Sequence, residues 1–218
     1  MKDWLFHPGT ALVGAGVRLL GGATVIGLDN IPQAGGCLVA SNHVSDLDPP
    51  ILAWALGHQR GRVIYFMAKD EMRRWPVLGW LLAQHGVFYV RRGEADRGAQ
   101  RLALRLLSSG GAVGVFPEGT RSRTGRLGTG NPGLALLAMR TGVPIVPVAI
   151  TGTRRLFPPG ARMVRRAHVT IRVGDPLSVE HRPKGRIERE ELDAFTETAM
   201  RAIAALLPAE MRGPYGYH

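Results

Sequence analysis

His43 and Asp48 stand five residues apart in "SNHVSDLDPP" (residues 41–50), directly after the apolar run "GCLVA". A histidine can take up a proton near neutral pH, and does so usefully once its tautomer is fixed. A carboxylate that accepts from Nδ1–H fixes that tautomer and stabilises the imidazolium that forms. A spacing of five leaves room for a turn to fold Asp48 back onto the ring. Asp46, three residues from His43, competes for the role and suits a turn or cap equally well. On these residues alone two readings stand side by side: a proton-transfer pair, and an ordinary polar loop capping a helix that opens at residue 49.

Three further stretches carry candidate chemistry. "GVFYVRRGE" (86–94) closes a strand with Arg91 and Arg92. Neighbouring strand side chains point to opposite faces, so one of the two faces the mouth that holds His43. "VFPEGTRSRTGR" (115–126) leaves a strand through Glu118, Gly119, Thr120 and Arg121. There glycine lets backbone approach a ligand, and the guanidinium fork suits an oxyanion or phosphate. No GK[ST] follows, so this is not a P-loop. "GVPIVPVAITGT" (142–153) sets Pro147 inside a strand, which proline tolerates at an edge or a bulge. Read singly, these stretches also fit a solvated strand end, a basic surface turn and a kinked strand.

The elements that must position these residues alternate along the chain. Strands are expected at 37–41, 62–68, 87–91, 112–116, 144–150 and 168–173. Helices are expected at 49–57, 70–84 and 94–109, then from a cap at Asn131 and Pro132 to Gly142, and last at 187–207. In 94–109, Arg97, Arg101 and Arg105 form one solvated stripe; in 187–207, Leu192, Phe195, Ala199, Ile203 and Leu206 share an apolar face. Such alternation predicts an α/β fold with a largely parallel central sheet flanked by helices, and ligand sites at the carboxyl ends of its strands.

Composition narrows the partners. The 218 residues suit one large core and carry a net charge of +11, which attracts nucleic acid, anionic lipid surfaces or phosphorylated substrates. Aromatic residues are only 6%, with no RNA-binding or zinc-finger signature, which argues against nucleic acid. Cys37 is the single cysteine, so no intramolecular disulfide forms, and no Cys/His cluster has metal spacing. Residues 9–28, "GTALVGAGVRLLGGATVIGL", are apolar but glycine-rich and carry Arg18. They predict an N-terminal helical segment, 1–28, lying on a membrane or on the domain rather than spanning a bilayer, ahead of a main domain at 29–218.

Together, "NHVSDLDP", "GVFYVRRG", "FPEGTRS" and "VPIVPVAI" follow the order and approximate spacing of the four motif blocks of the glycerolipid acyltransferase family, which the chain resembles over roughly residues 30–175. "MAKDEM" before the second block adds to the likeness. The resemblance implies transfer of a fatty acyl chain from a thioester donor, acyl-CoA or acyl-carrier protein, to the free hydroxyl of a lysophospholipid. Lysophosphatidic acid is the first candidate, giving phosphatidic acid in phospholipid biosynthesis. It implies His43 as general base and Asp48 as its orienting acid, with Asp46 left as a turn residue. It also implies that Arg92, Glu118, Gly119 and Arg121 bind the acceptor, and links Pro147 to the acyl donor or to local shape. Neither a cofactor nor a metal nor an acyl-enzyme is implied, and the expected place is the cytoplasmic face of the cell membrane, peripheral or monotopic. One departure stands out: family members commonly carry an aromatic–lysine–glycine cluster after the third block, where this chain reads "LGTGNPG" (127–133). The acceptor therefore stays open to another lysolipid, an amino-lipid or a glycolipid. A non-enzymatic basic module on a membrane or nucleic acid is the remaining rival.

Overall fold

The computed structural model describes residues 6–69, 88–90, 97–161 and 163–216, with backbone alone at 67–69, 88–90 and 97. The expected helix at 70–84 and the arginines Arg91 and Arg92 lie outside the described residues. Among the described residues seven strands form one sheet: β1 (Ala23–Ile26), β2 (Cys37–Ser41), β3 (Ile64–Lys69), β4 (Phe88–Val90), β5 (Ala112–Val115), β6 (Ile145–Thr151) and β7 (Val169–Val173). Their spatial order is β1-β7-β6-β2-β5-β3-β4, and every neighbouring pair is parallel except β6 with β7. The helices are α1 (Phe6–Leu19), α2 (Asp48–Leu52, continued by a π turn over Ala53–His58), α3 (Arg97–Ser108), α4 (Gly133–Thr141), the short α5 (Thr153–Leu156) and α6 (Arg189–Leu206).

β2 lies at the centre, and all five of its residues are buried. Alternation splits them between two cores. Cys37 and Val39 pack with Phe6, Val17, Ile51 and Trp54 on the α1/α2 side. Leu38 and Ala40 pack with Ala103, Leu107, Leu134, Ala138, Ala199 and Ile203 on the α3/α4/α6 side. A strand covered on both faces reads as an unbroken apolar run, which is why "CLVA" was legible as one.

The N-terminal segment differs from its expectation. Its helix ends at Leu19, because Gly21 and Gly22 adopt positive φ of 130° and 77° and turn the chain back. Residues 23–26 then form an edge strand paired with β7, so 9–28 is a helix followed by a short strand rather than helical throughout. The helix itself lies on the protein, one of the two placements expected, burying Phe6, Thr10, Gly14 and Val17. Asn131 does not cap α4: its side-chain amide donates to the Pro117 carbonyl at 3.1 Å, and the residue ahead of the helix is Pro132. α3 presents Arg101 and Arg105 to solvent, as expected, and buries Ala99, Ala103 and Leu107; the Arg97 side chain lies outside what is described.

Two glycines of α1 give opposite expectations. A Cβ on Gly14 would sit 2.1 Å from the Trp54 indole nitrogen, whereas one on Gly16 meets nothing within 4 Å. Gly14→Leu should therefore cost about 1–3 kcal/mol through overpacking. Gly16→Ala should gain up to about 1 kcal/mol from helix propensity. Thermal unfolding of the two variants separates them by sign.

Candidate active site

β2 and β5 are adjacent and parallel, with Ala40 opposite Val115, so the loops 42–47 and 116–123 leave the same sheet edge side by side. The first loop is folded by one buried carboxylate. Asp48 Oδ2 accepts from the backbone N–H groups of Val44 and Ser45, both at 2.7 Å, and lies 2.9 Å from His43 Nδ1. Asp48 is fully buried, while the His43 side chain keeps 17% of its surface exposed. Bonding of Nδ1 to the carboxylate puts the proton on that nitrogen and leaves Nε2 for a substrate.

The ring is also held flat. His43 stacks on Phe116 with centroids 4.0 Å apart and planes 18° from parallel, and Phe116 stacks in turn on Phe66. Phe66 fits only because β5 carries a glycine below it: a Cβ on Gly114 would lie 2.1 Å from the Phe66 ring. Nothing in the sequence singled out Gly114, whose partner is set by strand order alone.

Three contacts clamp the two loops together. Glu118 Oε1 accepts from the His43 N–H and Oε2 from the Gly128 N–H, each at 2.8 Å. The Ser122 N–H donates to the His43 carbonyl at 2.8 Å. Burial pushes the Glu118 carboxyl above its usual range, and the two N–H donors pull back against that. Glu118 thus places both of its oxygens on the protein's own backbone. Gly119 supplies the tight turn: its φ is 69°, and its N–H donates to the Phe116 carbonyl at 3.0 Å. Arg121 crosses from the second loop to pair with Asp46 of the first, both partly exposed at the mouth. Pro147 is buried in the sheet interior opposite Ala40, three residues before His43 in chain order. There it interrupts the β6–β7 ladder, which runs from Val148 to Thr151 and resumes at the Ile145–Leu177 bridge. The reading of a bulge fits that position, and the reading of an edge does not. Arg92 lies outside the described residues.

Two positioning side chains were missed by sequence reasoning. Asn42 extends the β2–β6 ladder with its side chain: Oδ1 accepts from the Ile150 N–H at 2.8 Å and Nδ2 donates to the Ile150 carbonyl at 2.9 Å. Arg154 holds the second loop from outside, donating to the Ser122 carbonyl at 3.2 Å and the Arg123 carbonyl at 2.8 Å. The signal for Asn42 was a polar residue set directly between a buried strand and a histidine; Arg154 gave none.

A mostly parallel α/β sheet that delivers a histidine–carboxylate pair and a guanidinium from adjacent central strands is equipped to take a proton from a substrate carrying an oxyanion. The family model described as Acyltransferase matches residues 22–151, more than half the chain, and the chain belongs to that acyltransferase family. It is similar to the chloroplastic 1-acyl-sn-glycerol-3-phosphate acyltransferase BAT2 of Brassica napus, 32% identical over 181 residues that make up 82% of this chain and 48% of the relative. The lyso-ornithine lipid O-acyltransferase of Pseudomonas aeruginosa is 32% identical over 182 residues, 75% of this chain and 66% of that protein. Among solved structures, the 1-acyl-sn-glycerophosphate acyltransferase PlsC of Thermotoga maritima superposes with a TM-score of 0.73 at 28% identity, covering 94% of this chain and 83% of that one. The chain spans about half the length of the first curated relatives it matches.

The clamp yields an expectation that separates positioning from substrate contact. Glu118→Gln turns one backbone acceptor into a donor facing an N–H. A buried donor left unsatisfied costs about 1–3 kcal/mol, so both the unfolding midpoint and kcat should fall. Acceptor KM should change less than kcat. A rise in KM alone, with kcat and stability kept, would mean that the carboxylate meets substrate instead.

Proposed function

We propose that this protein transfers a fatty acyl chain from a thioester donor, acyl-CoA or acyl-carrier protein, to the free hydroxyl of lysophosphatidic acid, giving phosphatidic acid. The observation that carries the reading is the buried Asp48 holding His43 Nδ1 at 2.9 Å while Arg121 faces the same mouth. Family membership and the names of the relatives support it.

His43 Nε2 takes the proton of the acceptor hydroxyl as its oxygen attacks the thioester carbonyl carbon. Asp48 stabilises the imidazolium that results. The tetrahedral intermediate then collapses, the carbon–sulfur bond breaks, and the imidazolium returns its proton to the leaving thiolate. Both substrates are bound together, and no side-chain nucleophile takes part. Arg121, with Arg92 on the second motif block, binds the acceptor phosphate as a guanidinium fork. Asp46 is the turn residue that holds Arg121 until phosphate displaces it. Glu118 and Gly119 serve the acceptor by shaping the loop from which Arg121 reaches it, and Pro147 serves local shape. The chemistry needs no cofactor or metal. The protein works as a peripheral or monotopic protein on the cytoplasmic face of the membrane; among the described residues no helix is long and apolar enough to cross one. Residues 1–28 add the apolar face that meets lipid, and 29–218 the acyltransferase domain.

A second reading keeps the chemistry and exchanges the acceptor for an amino-lipid. The carboxylate of Asp46 beside Arg121 and the likeness to a lyso-ornithine lipid O-acyltransferase favour it. A labelled-donor assay against a panel containing both lysolipids decides between the two.

His43→Ala should lower turnover by about 10²–10⁴-fold in a folded protein, the usual worth of a positioned general base. Asp48→Asn should be comparably severe and also less stable, since it disturbs the Val44 and Ser45 bonds. Inactivation by Asp46→Asn with Asp48→Asn still active would reverse the two carboxylates. Arg121→Ala should raise KM for a phosphate-bearing acceptor and leave donor KM unchanged, with Arg121→Lys restoring part of the loss. Asp46→Asn frees Arg121 from an exposed ion pair, so acceptor KM should fall by about two- to fivefold. Steady-state kinetics with phosphate-bearing and phosphate-free acceptors read all of these.

A further inference from the structure

Leu12 on α1 is 69% exposed and Leu19 is 76% exposed; on the loop between α5 and β7, Met163 is 77% exposed and Val164 45%. These two segments meet. The Ala167 N–H donates to the Leu20 carbonyl at 2.8 Å, just beyond Met163 and Val164 in the chain and directly after Leu19. His168 reinforces the junction, with Nδ1 2.8 Å from the Gly21 carbonyl and Nε2 2.9 Å from Thr24 Oγ1. Arg18, Arg165 and Arg166 are exposed beside these apolar side chains. Among the described residues no ion pair neutralises any of the three.

Strand order sets where the patch lies. β1 and β7 start together, Ala23 opposite Val169, and β7 runs antiparallel to β6, with Thr170 opposite Thr151. β6 runs parallel to β2, with Val148 opposite Ser41. The starts of β1 and β7 are therefore at the sheet edge where β2 delivers His43. The stretch leading into the loop touches that site directly: the Phe157 carbonyl accepts from Ser45 Oγ at 3.4 Å, and Arg154 holds the loop that carries Arg121.

We propose that Leu12, Leu19 and the Met163–Arg166 loop form one docking surface for an anionic bilayer, with the loop as a second anchor that sets the site mouth against the membrane. Charge complementarity selects this occupant. Apolar tips flanked by exposed arginines that make no ion pair among the described residues (Arg18 lies over the Trp54 ring, 6.0 Å from its centroid) suit the boundary between acyl chains and headgroups: Met163 and Val164 enter the apolar side while the guanidiniums stay with the phosphates. A protein partner would have to neutralise several arginines in a contact that the headgroup layer makes without any specific geometry. The inference rests on the acyltransferase reading for its purpose, since an amphiphilic acceptor lies in the bilayer, but binding itself can be measured without turnover.

The test is co-sedimentation of the full chain with phosphatidylcholine vesicles, with and without phosphatidylglycerol, over a salt series. Met163→Asp/Val164→Asp should lower partition about tenfold on both vesicle types. Arg165→Gln/Arg166→Gln should lower it about fivefold per arginine on anionic vesicles at low salt, with little effect on neutral ones. That loss should shrink as salt is added. Both variants should keep wild-type unfolding midpoints and wild-type turnover of a short-chain lysolipid used below its micelle concentration. Unchanged partition in the folded variants, or a wild-type protein that ignores vesicles, overturns the proposal. A parallel loss of turnover on the soluble acceptor also overturns it, because the loop would then belong to the acceptor pocket. A wild-type protein that binds vesicles but acylates no lysolipid defeats the acyltransferase reading and leaves the docking surface standing.

Discussion

A single oxygen, Asp48 Oδ2, gathers two backbone N–H groups and a histidine ring nitrogen within 2.9 Å, in a place closed to water. A carboxylate buried without donors loses its hydration with nothing in exchange. Here the donors come from the turn that the carboxylate itself closes, so loop shape and histidine orientation are one event. Stacking on Phe116 fixes the remaining rotation of the ring. That stacking depends on Phe66, and Phe66 on the missing side chain of Gly114. The site's geometry is thus inherited from packing between β3 and β5, one ring removed from His43.

The second constraint joins two loops that are far apart in sequence. Glu118 and Ser122 of one loop hold both backbone groups of His43 in the other. Asn42 meanwhile continues the sheet ladder for one more residue in side-chain form. Each bond satisfies a backbone group that a loop leaving a central strand would otherwise bury unpaired. Rigidity at the site therefore comes from the backbone's own need for partners. His43, Arg121 and its partner Asp46 remain partly exposed at the mouth, and the first two are the groups that the proposed mechanism asks to meet substrate.

The N-terminal segment shows how burial and exposure share one helix. Phe6, Thr10, Gly14 and Val17 face the protein, and Leu12 and Leu19 face outward. Its composition reads as apolar throughout, but among the described residues one side of it packs on the protein and Leu12 and Leu19 stay exposed. The close approach of Gly14 to Trp54 selects that side, because a larger residue there would lift the helix off.

Local signals settled most of the frame. β2, β5, β6 and β7 were legible as short apolar runs because both or one of their faces are covered, α3 from its solvated arginine stripe, α4 from the proline and glycine that bound it, and α6 from apolar spacing that matches a helix. The candidates His43, Asp48, Glu118, Gly119 and Arg121 were legible as polar residues placed where buried strands end, and the order of the motif blocks pointed to acyl transfer. Tertiary structure decided what no local pattern encodes: that 23–26 is a strand, since an edge strand exists only through its neighbour β7; that Asn131 serves the Pro117 carbonyl rather than a helix end; and that Asp46 faces Arg121 while Asp48 faces His43. Two carboxylates two residues apart have nearly the same sequence context. Residue type and spacing left both open and the motif block implied Asp48; the physical reason is the direction in which the turn closes and which carboxylate it buries.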